Sequence, residues 1–270
     1  MSITINFGIE IAADNQYGAL RLIPRVVGQP IDPLLRMDIF SYGAPYFDSR
    51  PHAGYATIMY LFKDTLGQME CQSGIHAPIS VKAGELNWYV AGRGLNLKDS
   101  PVVDSEVCSG ALLYVKLPAS EEVNSPRHKL VSQSEAIELQ FQNVSLRLLF
   151  GQYLNHHVGI FGLQYALIEA TVEADASISI PDQWSAVLFL IEGDGYLNGQ
   201  AWHEEQFVSV VEENEVTIKP SAVCRILIFM GQPNQEPLYW EGPFAMSSKE
   251  RINMVRNAYK LGFIDPILTP

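Results

Sequence analysis

The sequence predicts an all-β protein, two barrels in tandem with one short helix at the C-terminus. Three observations carry that expectation. Short apolar runs rich in strand formers alternate with turn residues about every eight to twelve positions, the spacing of sandwiches and barrels. The two halves repeat each other weakly. One stretch near the end, and only one, has helical spacing and a cap.

Taken in order, Met1-Ser-Ile-Thr-Ile-Asn-Phe7 alternates like a strand and lacks the basic start of a signal peptide. Strands follow at Ile58–Phe62, Gly67–Cys71, Ile79–Val81, Leu86–Val90 and Ala111–Leu117, with turns at Gln72-Ser-Gly74 and Lys82-Ala-Gly84. Pro118 to Ser134 is polar and reads as a linker, which sets the domains at 1–134 and 135–270. Strands resume at Ile137–Phe141, Val144–Phe150, Gln164–Val172, Ala186–Ile191, Gln206–Val210, Val216–Ile218 and Cys224–Met230. Leu197-Asn-Gly199 is a hairpin turn. The repeat aligns Met59–Asp64 with Leu188–Gly193, and Ala83–Trp88 with Glu213–Ile218. Ser247-Ser-Lys-Glu250 reads as a capping box with Ser247 at the N-cap. Ile252, Val255 and Tyr259 then share a face, and Gly262 ends the helix. Such a short stripe is expected to pack across a barrel and tie the halves together.

Composition narrows the function. The chain has 270 residues, is 47% hydrophobic and only 18% charged, with a net charge of −12. Without clustered cations it is not expected to bind nucleic acid directly. No apolar run reaches membrane-spanning length, so no membrane partner and a cytoplasmic location are expected. Cys71, Cys108 and Cys224 are scattered and read as reduced core residues.

Four ordered stretches then carry a family resemblance. Arg50-Pro-His-Ala-Gly-Tyr-Ala-Thr57 is similar to the motif His-Pro-His-Arg-Gly-Phe-Glu-Thr. Gly84-Glu-Leu-Asn-Trp-Tyr-Val-Ala-Gly-Arg-Gly-Leu-Asn-Leu-Lys-Asp99 is similar to Gly-Asp-x-x-Trp-x-x-Ala-Gly-Arg-Gly-x-x-His-Ser-Glu. Asp32-Pro-Leu-Leu-Arg-Met-Asp38 and Gly231–Met246 follow two further motifs. Together they resemble the pirins, two-domain cupin (bicupin) proteins, which implies two jelly-roll domains.

The resemblance also implies a site. Pirins hold iron with three histidines and a glutamate, a set suited to oxygen chemistry. The matching positions here are Arg50, His52, Leu97 and Asp99. Arg offers no lone pair and Leu no donor atom, so two ligands are gone and the carboxylate is one methylene shorter. No metal or cofactor is expected, the family's iron being lost, and no catalytic residue is assigned. Either Arg50 pairs with Asp99 where the metal stood, because a buried carboxylate needs compensation, or the site has decayed and Arg50 points to solvent. Tyr60 and Trp88 read as core first and pocket wall second. His76 reads as a loop residue, as do His156 and His157.

Two functions compete. One is a metal-free pirin-like protein that binds a small molecule or a protein partner. The alternative is the quercetinase-type (quercetin 2,3-dioxygenase) activity that the resemblance implies for metal-bearing pirins. Eukaryotic pirins, which resemble transcriptional cofactors, add a partner-binding version of the first.

Overall fold

The computed structural model describes residues 2–14, 17–22, 31–42, 49–103, 106–159 and 162–264. The chain forms two units whose ends are exchanged. The N-terminal unit takes Glu10–Arg21, Leu34–Leu130 and Asn234–Pro270, and the C-terminal unit takes Met1–Ile9, Leu22–Pro33 and Val131–Pro233. Strand β1 (Ser2–Phe7) accordingly pairs with a strand of the C-terminal unit, while the final helix stands in the N-terminal one.

In the N-terminal unit the strands are β2 (Ile9–Asp14), β3 (Tyr17–Leu22), β4 (Leu34–Tyr42), β5 (Arg50–His52), β6 (Tyr55–Leu61), β7 (Met69–Ser73), β8 (Ile79–Val81), β9 (Leu86–Val90), β10 (Leu95–Pro101), β11 (Cys108–Lys116) and β12 (Arg127–Val131). Seven form one sheet, ordered β12-β9-β6-β11-β4-β3-β2, and four form a second, β5-β10-β7-β8. The two sheets share a core. Phe40, Met59 and Leu61 from the larger pack with Met69, Cys71 and Val81 from the smaller. The segment expected as a linker contributes β12, whose burial is only partial until Val131. Its polar sequence is that of an edge strand.

The C-terminal unit has β13 (Ile137–Gln140), β14 (Val144–Tyr153), β15 (His156–Val158), β16 (Tyr165–Val172), β17 (Ala176–Ser179), β18 (Ser185–Glu192), β19 (Asp194–Leu197), β20 (Gln200–His203), β21 (Gln206–Val211), β22 (Glu215–Pro220) and β23 (Cys224–Gly231). Its larger sheet runs β1-β21-β18-β23-β16-β14-β13, with β15 attached to β14, and its smaller runs β17-β22-β19-β20. Asn198 and Gly199, both at positive φ, make the tight β19–β20 turn. Of the two repeat alignments, the first fits the topology, since β6 and β18 are equivalent central strands. The second is one strand off. Leu86–Val90 lies in the larger sheet beside β6, and its counterpart beside β18 is Gln206–Val211, not Val216–Ile218.

Both units are therefore double-sheeted jelly rolls. The expected barrels are not closed: among the described residues every sheet ends in free edges. All three cysteines are buried and free. No helix of the described residues is long and apolar enough to cross a membrane.

The chain ends in the hairpin β24 (Tyr239–Glu241) and β25 (Phe244–Met246), then helix α1 (Lys249–Lys260). Ile252 and Val255 bury against Ala53, Phe244, Met246 and Ile264. Burial of two such side chains contributes about 3–6 kcal/mol by area. These contacts of α1 lie within the N-terminal unit. Its N-cap is Ser248, whose side chain accepts from the Arg251 N–H. Ser247 instead donates its N–H and hydroxyl to Glu122 and accepts from Arg251 Nη1. Gly262, at φ 73°, closes the helix with Gly262 N–H to Tyr259 and Phe263 N–H to Ala258, a Schellman arrangement.

Candidate functional site

The two motif segments meet as antiparallel neighbours. Strand β5 pairs with β10, with Arg50 opposite Leu97 and His52 opposite Leu95. Side chains alternate along a strand, so Arg50, His52, Leu97 and Asp99 share one face of the smaller sheet. On its other side β10 pairs with β7, placing Cys71 opposite Asp99 and Ser73 opposite Leu97. Across the core the larger sheet supplies Thr57 and Met59 from β6, Asn87 and Tyr89 from β9, and Leu112 and Tyr114 from β11. All four motif residues and these six line one cavity of only about 10 Å³. That is room for a single water.

Tyr60 and Trp88 are fully buried but line no part of this cavity. They alternate with Met59 and with Asn87 and Tyr89, and so occupy the opposite face of the larger sheet. His76 is also outside the cavity. Its Nδ1 donates to the Ala77 carbonyl at 2.6 Å, and its Nε2 meets the Tyr89 hydroxyl at 2.8 Å. His128, from β12, packs its ring 4.1 Å from that of His76 and donates from Nε2 to Asn87 Oδ1 at 2.7 Å. The cavity's polar wall therefore continues outward through Asn87 and Tyr89 to two histidines.

Within the cavity, electrostatics keep His52 neutral. Burial, with the Arg50 and Arg36 charges, pushes it down to about 4 against the opposing hydrogen bond to the Arg50 carbonyl. That bond, from Nδ1 at 2.9 Å, puts the proton on Nδ1 and the lone pair on Nε2. Asp99 behaves oppositely. Burial raises its carboxyl above the usual range, although a hydrogen bond with Cys71 and the Arg50 charge both pull it down. As a residue Asp99 is partly exposed, yet its Oδ1 is shut off from solvent and makes no hydrogen bond among the described residues. Burial likewise raises Tyr114 and Cys71. The ring of Tyr114 carries the Arg36 guanidinium 4.3 Å from its centroid, and Arg36 in turn binds Asp38.

The donor set does not fit the family's iron. His52 Nε2 and Asp99 are competent ligands, but Arg50 has no lone pair and Leu97 no donor. Among the described residues, no three His, Cys, Asp or Glu side chains converge as a metal group. In the C-terminal unit, His156 and His157 stand on the short strand β15 rather than in a loop, opposite Tyr153 and Gln152. His203 meets Asp194 at the surface.

Comparison with known proteins agrees with the motifs. Residues 165–264 match the Pirin C-terminal cupin domain. Pirin of Homo sapiens is 27% identical over 271 residues, covering 94% of this chain and 92% of that protein. The chain is similar to pirins along most of its length. Among solved structures, a quercetin 2,3-dioxygenase from Acinetobacter baumannii superposes with a TM-score of 0.86 at 17% identity, covering 96% of each chain. A bacterial pirin from Escherichia coli in complex with nickel(II) superposes at 0.69 and 15% identity, covering 86% of this chain and all of that one. Both likenesses are of fold.

Proposed function

We propose that this pirin-like chain binds rather than oxidises, and that its N-terminal cupin centre is a degenerate, metal-free form of the pirin iron site. The observation that carries the reading is the pairing of Arg50 with Leu97 at the heart of the face where ligands are needed. A fixed guanidinium beside His52 opposes a dication by Coulomb repulsion, and it also compensates part of the Asp99 charge. The centre then acts as a polar core element, and the chain works through a small-molecule or protein partner in an aqueous compartment such as the cytoplasm.

The quercetinase reading keeps one supporting observation, the likeness to the Acinetobacter enzyme. It asks for ligands beyond His52 and Asp99, and for a flavonoid to enter a space of about 10 Å³. Ligand pockets usually measure about 300–1,000 Å³.

Anaerobic loading with ferrous iron, desalting and elemental analysis separate the two. The expected result is iron far below one atom per chain, with no quercetin turnover. One iron per chain overturns the metal-free reading, and oxygen-dependent quercetin loss establishes the alternative.

A further inference from the structure

A second, larger cavity lies within the N-terminal unit, beneath helix α1, and shares no residue with the cupin centre. Its volume is about 460 Å³, inside the range of small-molecule sites. Met246, Val255 and Ile264 form a buried apolar floor. Val123, Met254 and Phe263 stand exposed at its lip. Exposed apolar side chains gathered around a concavity mark a binding surface more often than chance exposure does.

One end of this cavity is cationic. Glu122, with its side chain fully buried, accepts from Lys116 Nζ at 2.6 Å and from Arg251 Nη1 at 2.7 Å. Lys116 has a second acid, Glu236, at 3.6 Å, and Glu121 is taken by Arg127. Arg93 also lines the cavity and is exposed, and its side chain makes no hydrogen bond or ion pair among the described residues. Arg251 spends Nη1 on Ala119, Glu122 and Ser247, while its Nε and Nη2 have no acceptor among the described residues. Of the charged residues that line the cavity, two are cations, Arg93 and Arg251, and one is a carboxylate, Glu122. The excess is one positive charge, on a chain whose net charge is −12.

We infer that this cavity binds an amphipathic monocarboxylate, its apolar body on the Met246–Val255–Ile264 floor and its carboxylate on Arg93 and the free edge of Arg251. Guanidinium donors match a planar carboxylate. The buried Glu122 alongside disfavours a dianion, so a phosphate monoester suits the site less. The site stands whichever way the cupin centre is read.

The test is calorimetric titration of the full-length chain with decanoate, and with decanol as the uncharged control. Wild type takes up one decanoate saturably and binds decanol more weakly. Arg93→Ala, a change at an exposed side chain, weakens decanoate about tenfold, or 1.4 kcal/mol, and leaves decanol unchanged. Ala258→Trp, which fills the cavity from the helix, abolishes both, with the thermal melt confirming a folded protein. No saturable decanoate binding by wild type overturns the inference. So does decanoate affinity unchanged by Arg93→Ala, or binding retained by a folded Ala258→Trp protein, which would put the ligand elsewhere.

Discussion

Glu122→Ala is the perturbation whose outcome the structure fixes most tightly. The residue is 1% exposed and its carboxylate takes four donors: Lys116 Nζ, Arg251 Nη1, and the Ser247 N–H and hydroxyl. Those donors come from β11, the start of α1 and the residue before its cap, so Glu122 fastens the helix to the sheet. Its removal strands Lys116, itself 4% exposed. Deleting one partner of a buried ion pair costs about 3–5 kcal/mol. Lys116 keeps the Leu117 carbonyl at 2.8 Å and Glu236 at 3.6 Å, which places the loss near the lower end, about 3 kcal/mol. At about 2–4 °C per kcal/mol for a chain of this size, the melting midpoint falls by about 6–12 °C. Urea denaturation followed by circular dichroism measures it, in a cycle with Lys116→Met. The double variant should cost much less than the two single changes added together, because the stranded charge is then gone. A single-variant loss below about 1 kcal/mol, or additive losses around the cycle, refutes the buried-hub argument. The pH dependence gives a second check. Burial pushes Glu122 up, but the Lys116, Arg251 and Ser247 hydrogen bonds more than offset it, and the net shift is downward. Its contribution is therefore full above the ordinary carboxylate range and fades as pH falls through the folded-state value.

His52 titrates at about 4 when folded and 6.5 when free, so the unfolded chain binds the extra proton between those values and stability declines as pH drops from 6.5 to 4; the full loss is about 3 kcal/mol, and His52→Gln should flatten that part of a stability–pH profile. Asp99 has the opposite sign: its raised carboxyl makes the charged form costly in the fold, so Asp99→Asn should raise the urea midpoint at neutral pH, with a gain that shrinks toward acid. Gly54, at φ 81°, has the Ala245 carbonyl oxygen 1.8 Å from where a Cβ would sit; Gly54→Ala should loosen the β24–β25 hairpin from the sheet, seen as faster amide exchange at Ala245, whose N–H donates to the Ala53 carbonyl. Arg50→His combined with Leu97→His restores three imidazoles and a carboxylate to one face, and should raise bound iron by elemental analysis well above that of the parent chain.

The pairing of Arg50, His52, Leu97 and Asp99 was legible because each pair is two residues apart on an extended segment, and the motifs bring the segments together. The opposite wall was not. Every residue of β6 and β9 is buried on both faces, and such strands lose the alternation that tells one face from the other. Hydrophobicity then drew attention to Tyr60 and Trp88, when the lone polar residue in Leu86–Val90, Asn87, was the mark of the inward face. Non-local competition hid two further features. The helix cap lies one residue later than expected, at Ser248, while Ser247 bonds to Glu122, far away in sequence, and to Arg251. The edge strand β12 passed for a linker because an edge needs little apolar sequence.

The cavity under α1 escaped motif reading because its lining comes from separate stretches of the chain. The family motifs mark positions along β5, β9 and β10, whereas the cavity under α1 draws on Arg93, the Glu122–Val123 turn and the C-terminal helix. No one stretch carries a signature, since the lining is divided among Arg93, the Glu122–Val123 turn and the segment from Met246 to Ile264. Arg93 sits inside the motif Gly92-Arg-Gly94, and its backbone N–H is bound by the Asn124 carbonyl. That bond and the neighbouring glycines hold the strand end in place, while the guanidinium projects to the cavity rather than toward His52. If the proposed metal-free centre and the proposed carboxylate site both hold, the binding chemistry of this chain is displaced from the cupin centre to the helix. Titrating decanoate against Arg50→Ala and Arg93→Ala side by side puts that displacement to the test. Weakening by Arg93→Ala alone supports it, and weakening by Arg50→Ala alone returns the binding site to the centre.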